Sequence, residues 1–213
     1  MTSLTAQLAE YQEGFKNRVT PDVVTMMEKA TADLRASSIE AQALKVGATL
    51  PDLQLPDAKG QSVSLKTLNA NGPLVIVFYR GGWCPYCNFE LREWQRLLPE
   101  LQKKGAQLVA ISPQTPDHSL STAEKNELAF TVLSDSELAA TKAFGLGFEL
   151  PPELVVLYTK FGRDLPTING NGEWALPLPA TYLIDRNGLV QFAFVDADYR
   201  KRAEPSDILA MIA

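Results

Sequence analysis

LVIVFYRGGWCPYCNFEL, residues 74–91, changes its hydrophobic period halfway along. Residues 74–79 form an unbroken apolar run rich in valine and aromatics, stopped by Gly81 and Gly82, which is the pattern of a buried strand entering a tight turn. After Pro85 the spacing becomes helical: Phe89, Leu91, Trp94, Leu97 and Leu98 make an apolar stripe, and Glu90, Arg92, Glu93, Gln95 and Arg96 fall to the wet faces. Pro85 takes the first helical position, where its missing N–H leaves no bond unmade and its fixed φ suits the helix. This phase predicts Cys84 as the N-cap and Cys87 as the third helical residue. Both then lie near free backbone N–H groups and the positive end of the helix dipole, which favour a thiolate. They are the only cysteines in the chain.

The composition suits such a site. A chain of 213 residues, 46% hydrophobic and 21% charged, is enough for one well-buried soluble core. A net charge of −5 leaves no basic footprint for nucleic acid or an anionic membrane as partner. Met1-Thr2-Ser3-Leu4 lacks the basic start and apolar run of a signal peptide, and no stretch reaches the roughly 20 apolar residues of a membrane span, so a cytoplasmic location is expected. In a reducing compartment a CxxC pair is seldom a structural staple, which points to catalysis or metal binding. Zinc needs four ligands; His118 is the only histidine and there is no second cysteine pair, so a complete metal site within one chain is not expected. His118 falls in the first turn of a surface helix and is left out of the site.

Working outward, residues 1–45 read as a helical extension without a catalytic motif. Leu4, Leu8, Tyr11 and Phe15 recur at helical spacing, and after a helix start at Thr20-Pro21-Asp22 a second face follows with Val23, Met26, Met27, Ala30 and Leu34. These faces are expected to cover the core or another subunit, the latter allowing a homodimer. Residues 46–213 form the main domain: a short hairpin around residues 53–64, then strand and helix in alternation, with strands at 106–112 and 130–133 and helices at 116–128 and 136–144, the last opened by serine. Alternation of this kind predicts an α/β sandwich with parallel strands. Residues 145–174 break the rhythm and read as an insertion, helical at 153–159 and ending in a mobile loop. A hairpin about Asp185-Arg186-Asn187-Gly188 follows, and a last helix starts at Glu204-Pro205.

This order of elements, with Trp83-Cys84-Pro85-Tyr86-Cys87, resembles the alkyl hydroperoxide reductase/thiol-specific antioxidant family, the peroxiredoxin relatives. Residues 47–55 resemble the family's opening hairpin, Phe78-Tyr79 and Cys87-x-x-Glu90-Leu91 its active-site loop and helix, and Tyr182-Leu183-Ile184-Asp185-x-x-Gly188 its late hairpin. The resemblance implies a thioredoxin-like three-layer sandwich with a mixed central sheet. Laid over the peroxiredoxin pattern, Cys87 takes the peroxidatic position, Cys84 replaces a threonine and Arg80 a proline. The arginine that typical peroxiredoxins carry before the late strand falls near Pro179, where thioredoxins place a proline beside their cysteines. A thioredoxin-type role for Pro179 implies a cis Leu178–Pro179 bond lying against the cysteine turn. Arg80 is a candidate cation for a thiolate or a peroxide oxygen, and Trp83 a candidate docking surface.

The resemblance thus implies a thiol-dependent antioxidant peroxidase, needing no metal or prosthetic group, in which Cys84 and Cys87 reduce a hydroperoxide. Their disulfide is then reopened by a thioredoxin- or glutathione-type donor. The altered motif leaves disulfide exchange as an alternative, and a binding role with shared zinc ligands as another. Capping favours Cys84 as the first thiolate, because its sulfur can accept from the backbone N–H groups of Tyr86 and Cys87; the match to the peroxiredoxin pattern favours Cys87. The spacing of Asp196, Asp198, Tyr199 and Arg200-Lys201-Arg202 carries no chemistry and reads as a polar loop.

Overall fold

The structure is a computed structural model and describes residues 2–212, leaving Met1 and Ala213, the outer ends of the two expected segments, outside the described residues. Helices α1 (Leu4–Lys16) and α2 (Pro21–Ala36) and a 3-10 turn (Ile39–Gln42) precede a small antiparallel pair, β1 (Gln54–Pro56) with β2 (Ser62–Ser64). Then come α3 (Leu65–Ala70), β3 (Leu74–Phe78), α4 (Pro85–Lys103), β4 (Gln107–Ser112), α5 (Pro116–Lys125), β5 (Thr131–Ser134) and α6 (Ala139–Ala143). β6 (Gly147–Glu149), α7 (Pro152–Lys160), α8 (Leu165–Asn169) and β7 (Ala175–Pro177) lead into the hairpin β8 (Ala180–Ile184) and β9 (Val190–Val195), and α9 (Pro205–Met211) closes the chain.

The central sheet runs β5-β4-β3-β8-β9, parallel across β3, β4 and β5 and antiparallel across β3, β8 and β9. It is the mixed sheet of a thioredoxin-like sandwich. β3 has the period-2 alternation that fills both faces. Val75 and Val77 pack with Trp94, Leu98 and Leu101 of α4 and Ile208 of α9; Leu74, Ile76 and Phe78 pack with Leu65, Ala140 and Phe144 opposite. As the central strand, β3 delivers its C-terminal end, and the cysteines after it, to the rim of the sheet beside β4 and β8.

Several local expectations are corrected. α6 starts at Ala139 rather than at a serine cap; the cap is the Asp135 carboxylate, which accepts from the N–H of Ala140 at 2.9 Å and of Thr141 at 2.7 Å. Residues 145–174 hold more order than an insertion implies: β6 pairs with β7, α8 lies between with Leu165 and Asn169 buried, and in the loop at 170–174 the Asn171 amide donates to Ser136 O at 2.9 Å. The pairing of β6 with β7 also removes the expected cis bond. Leu178 N–H donates to Leu146 O at 2.8 Å, so the chain runs extended from β7 into β8 with no tight turn to make, and the Leu178–Pro179 bond is trans. Among the described residues no helix is long and apolar enough to cross a membrane.

The N-terminal helices pack on the sheet's cysteine end. Leu4 and Leu8 of α1 are buried in one cluster with Tyr79, Cys84, Tyr86, Cys87 and Leu91. The start of α1 is held from the far end of the chain, where Glu204 accepts from the N–H of Leu4 at 2.8 Å and of Thr5 at 3.2 Å, a carboxylate at the positive helix end. Val23, Met26 and Met27 of α2 pack with Leu157 and Tyr158 of α7. Leu4→Ala is expected to lower the unfolding free energy by about 2 kcal/mol, the low end for a buried leucine because α1 can lift away at its end. Urea denaturation checks it; an unchanged midpoint would mean that α1 adds nothing to the core.

Candidate active site

The turn between β3 and α4 needs both of its glycines. Gly81 has φ +142°, and a Cβ there would meet the Trp83 ring at 2.4 Å; one on Gly82 would strike Thr122 Oγ1 at 2.2 Å. The turn is then fastened from three sides. Cys84 N–H donates to Gly81 O at 3.0 Å, Gly82 N–H to Gln114 Oε1 at 2.7 Å, and the Asn88 side-chain amide to Gly82 O at 2.8 Å. α4 begins at Pro85 with Cys84 as its N-cap residue, as the sequence phase predicts.

The Cys84 sulfur makes no full N-cap hydrogen bond, and the Cys87 N–H expected to cap it is only a minor influence lowering its thiol. Something else holds its charge. Burial pushes the Cys84 thiol up, but the Cys87 thiol beside it, then the guanidiniums of Arg80 and Arg202, outweigh burial and bring it down to about 5. Cys87 moves the other way: burial and the neighbouring Cys84 push its thiol well up against the pull of Arg202. The two shifts run in opposite directions, so of the pair it is Cys84 that is drawn toward the thiolate.

Arg80, a candidate from sequence, is only 3% exposed. Its guanidinium lies 4.3 Å from the centroid of the Tyr199 ring, 5.1 Å from Trp83 and 5.7 Å from Tyr158, and it donates to the Tyr158 hydroxyl. Trp83 is half-buried, stacked edge-on against Tyr158 at 5.6 Å. Cys84, Arg80 and Trp83 line one cavity of about 320 Å³, which Tyr11, Phe15 and Arg18 of the N-terminal segment help to close. Cys87 is fully buried and does not reach it. Pro179 lines a different cavity, on the far side of Arg80, Tyr158 and Tyr199. His118 stays outside, bonded through Nδ1 to Thr115 Oγ1 at 2.9 Å.

Two charged residues behind the cysteines lie elsewhere than the sequence reading puts them. Arg202, expected in a polar loop, is buried, and its Nη2 donates to Cys87 Sγ at 3.3 Å. Glu90, assigned to a wet face, is fully buried and accepts from Arg202 Nε and, at 3.1 Å, from Thr181 Oγ1. Burial pushes the Glu90 carboxyl up, opposed by Arg202 and Thr181. Glu90 thus aims Arg202, and Arg202 aims at Cys87. A signal for Glu90 did exist: three residues after Cys87 and four before Trp94, it falls on the apolar stripe.

Alkylation of the reduced protein by iodoacetamide is expected to keep its neutral-pH rate until the pH nears about 5 and to fall below it. A midpoint at the free-thiol value of about 8.5 would contradict this. The sign for stability follows: between about 5 and about 8.5 the unfolded chain holds a proton that folded Cys84 has lost, so this contribution is full above the upper value and disappears as pH falls through the lower. Cys87, raised by burial, opposes it only above the ordinary thiol value.

Known proteins resemble this chain in sequence and in fold. Residues 46–193 match the model of the AhpC/TSA family. The chain is 30% identical over 164 residues to peroxiredoxin Q, chloroplastic, of Sedum lineare, covering 77% of this chain and 75% of that protein. It is 28% identical over 153 residues to the thiol-disulfide oxidoreductase ResA of Geobacillus thermodenitrificans, covering 71% and 70% respectively. Its fold is similar to that of peroxidoxin BcpB from Mycobacterium tuberculosis, with a TM-score of 0.63 at 23% identity over 79% of this chain and 96% of the other.

Proposed function

The chain belongs to the AhpC/TSA family, and from that premise we propose that it reduces hydroperoxides as a thiol-dependent peroxidase whose redox pair is Cys84 and Cys87. The observation that carries this reading is the depressed Cys84 thiol at the wall of a partly enclosed cavity open to solvent, with Arg80 beside it and Cys87 behind. The Cys84 thiolate attacks the outer oxygen of ROOH; the O–O bond breaks, the sulfur becomes a sulfenic acid, and the alkoxide takes a proton and leaves as ROH. Arg80 stabilises the charge as it moves from sulfur to oxygen. Once Cys84 is no longer an anion, Arg202 favours the Cys87 thiolate, whose proton goes to the departing alkoxide; the thiolate attacks the sulfenic sulfur, the S–O bond breaks, and the hydroxide takes a proton from solvent and leaves as water. Two thiol equivalents from a thioredoxin- or glutathione-type donor then reduce the Cys84–Cys87 disulfide.

The similarity to ResA is the ground for disulfide exchange as a second reading. One feature weighs against it here: Leu178–Pro179 is trans, so Pro179 offers no thioredoxin-type docking element. The test is steady-state turnover of cumene hydroperoxide with a thioredoxin system, set beside the reduction of insulin disulfides that the protein adds over dithiothreitol alone. Consumption of the hydroperoxide with little insulin reduction is expected. Efficient insulin reduction without hydroperoxide loss would replace the proposal by disulfide exchange.

A further inference from the structure

The cavity over Cys84 has a one-sided polar lining. Arg18, Arg80 and Arg163 border it and no aspartate or glutamate does, in a chain of net charge −5. Among the described residues none of the three has a carboxylate within ion-pair distance. Their guanidiniums lie against rings instead: Arg18 at 4.8 Å from the Tyr11 centroid, Arg163 at 5.4 Å from Trp83 and 5.9 Å from Phe161. In an acidic protein, surface arginines readily find carboxylates. A cavity that gathers three and excludes every acid keeps a positive potential inside. Arg80, caged by aromatic rings, has the Cys84 thiolate for its anion. Arg18, which is exposed, and Arg163, half-buried, have none.

Between these cations the wall is apolar, built of the Tyr11, Phe15, Trp83, Tyr86 and Phe161 rings. Hydrogen peroxide has no use for such a wall. An organic body does, and a guanidinium fork matches a carboxylate in shape as well as charge. We infer that this cavity binds an organic hydroperoxide bearing a carboxylate, with Arg18 and Arg163 holding the carboxylate and the aromatic rings its body. The inference rests on the peroxidase reading and names its substrate class. It also assigns α1 and the segment after it a part in substrate binding. Tyr11, Phe15 and Arg18 lie outside the 46–193 family match, so this part of the pocket is supplied by the chain's own extension. A carboxylate fixed between Arg18 and Arg163 limits the poses open to the peroxide group and so favours its approach to Cys84.

Binding without chemistry can be measured on the reduced wild-type protein by calorimetry with para-isopropylbenzoate and its neutral amide, para-isopropylbenzamide. The acid is expected to bind at least about tenfold more tightly, as charge-assisted hydrogen bonds require, and added salt should narrow the gap. In R18Q/R163Q the preference should vanish. The ratio of kcat/KM for para-carboxycumene hydroperoxide over cumene hydroperoxide should fall by a similar factor between wild type and R18Q/R163Q. Equal binding of acid and amide to the wild type would overturn the inference, as would an undiminished preference in a double variant that melts like the wild type. Good turnover of both hydroperoxides without preference removes only the carboxylate site. Preferential acid binding with no turnover of either removes the substrate assignment together with the peroxidase reading.

Discussion

Cys84→Ser is expected to bring hydroperoxide reduction down by several orders of magnitude, while Cys87→Ser keeps the first half-reaction and loses the second. The two thiols are three residues apart on one helix start, yet they differ in access and in charge. Cys84 borders the cavity and its thiol is drawn down to about 5; Cys87 is fully buried and pushed well up. With serine at position 84 the cavity faces an alcohol that is not ionised near neutral pH, and the remaining thiol lies behind it. With serine at position 87 a hydroxyl remains to donate to the Cys84 thiolate, so one equivalent of hydroperoxide should still be consumed rapidly and turnover should then stop. Stopped-flow mixing followed by steady-state assay separates the two behaviours. Equal loss of the first fast phase in both variants would mean that the thiols act only as a unit.

The second large effect is on stability. Glu90→Gln is expected to destabilise the fold by about 3–5 kcal/mol, the cost of leaving one member of a buried ion pair alone. The side chains of Glu90 and Arg202 are 0% and 1% exposed, so no water can replace the lost carboxylate. Arg202 is otherwise committed to the carbonyls of Tyr199 and Lys201, at 2.7 and 2.6 Å, and to Cys87 Sγ. Chemical denaturation reads the loss directly, and a change within about 1 kcal/mol would show that the charge is compensated elsewhere. The apolar replacement E90L/R202M should recover most of the stability, since a packed hydrophobic pair avoids the desolvation penalty. It should nevertheless close the disulfide slowly, because Cys87 has lost its guanidinium. The comparison separates the structural share of this pair from its share in chemistry.

Much of the molecule was legible in residues 74–91 alone. A run of β-branched residues, two glycines, a proline at the first helical position and a 3.6-residue stripe fix strand, turn and helix in that order, and so place both cysteines. What could not be read was what the rest of the chain brings to them. Arg202 lies 115 residues from Cys87 in sequence, and nothing in Arg200-Lys201-Arg202 says which cation turns inward. Arg200 pairs with Asp198 at 2.6 Å, Lys201 is exposed, and only Arg202 is buried. The choice is made by tertiary packing, through Glu90 on α4 and Thr181 on β8. Pro179 shows the opposite error. Its place in the sequence resembled a thioredoxin proline, but the pairing of β6 with β7, hidden in an irregular stretch, straightens the chain before it.

The cavity depends on the same hidden contacts. Periodicity indicated that the faces of α1 and α2 needed cover, and the structure spends them on the cysteine end of the sheet: Leu4 and Leu8 close the core behind Cys84, while Tyr11 and Phe15 form a wall in front of it. Removing the extension should therefore alter the site as well as the stability.

The measurement that bears most directly on the proposed chemistry is the position of the sulfenic acid. Reduced Cys87→Ser protein is mixed with one equivalent of cumene hydroperoxide in the presence of dimedone, digested and mapped by mass spectrometry, with Cys84→Ser treated in parallel. A dimedone adduct on Cys84 in the first, formed as fast as the hydroperoxide disappears, and slow or no labelling of Cys87 in the second, is the expected result. Rapid labelling of Cys87 in the Cys84→Ser protein, with Cys84 inert in its counterpart, would contradict it and make Cys87, under Arg202, the attacking thiolate.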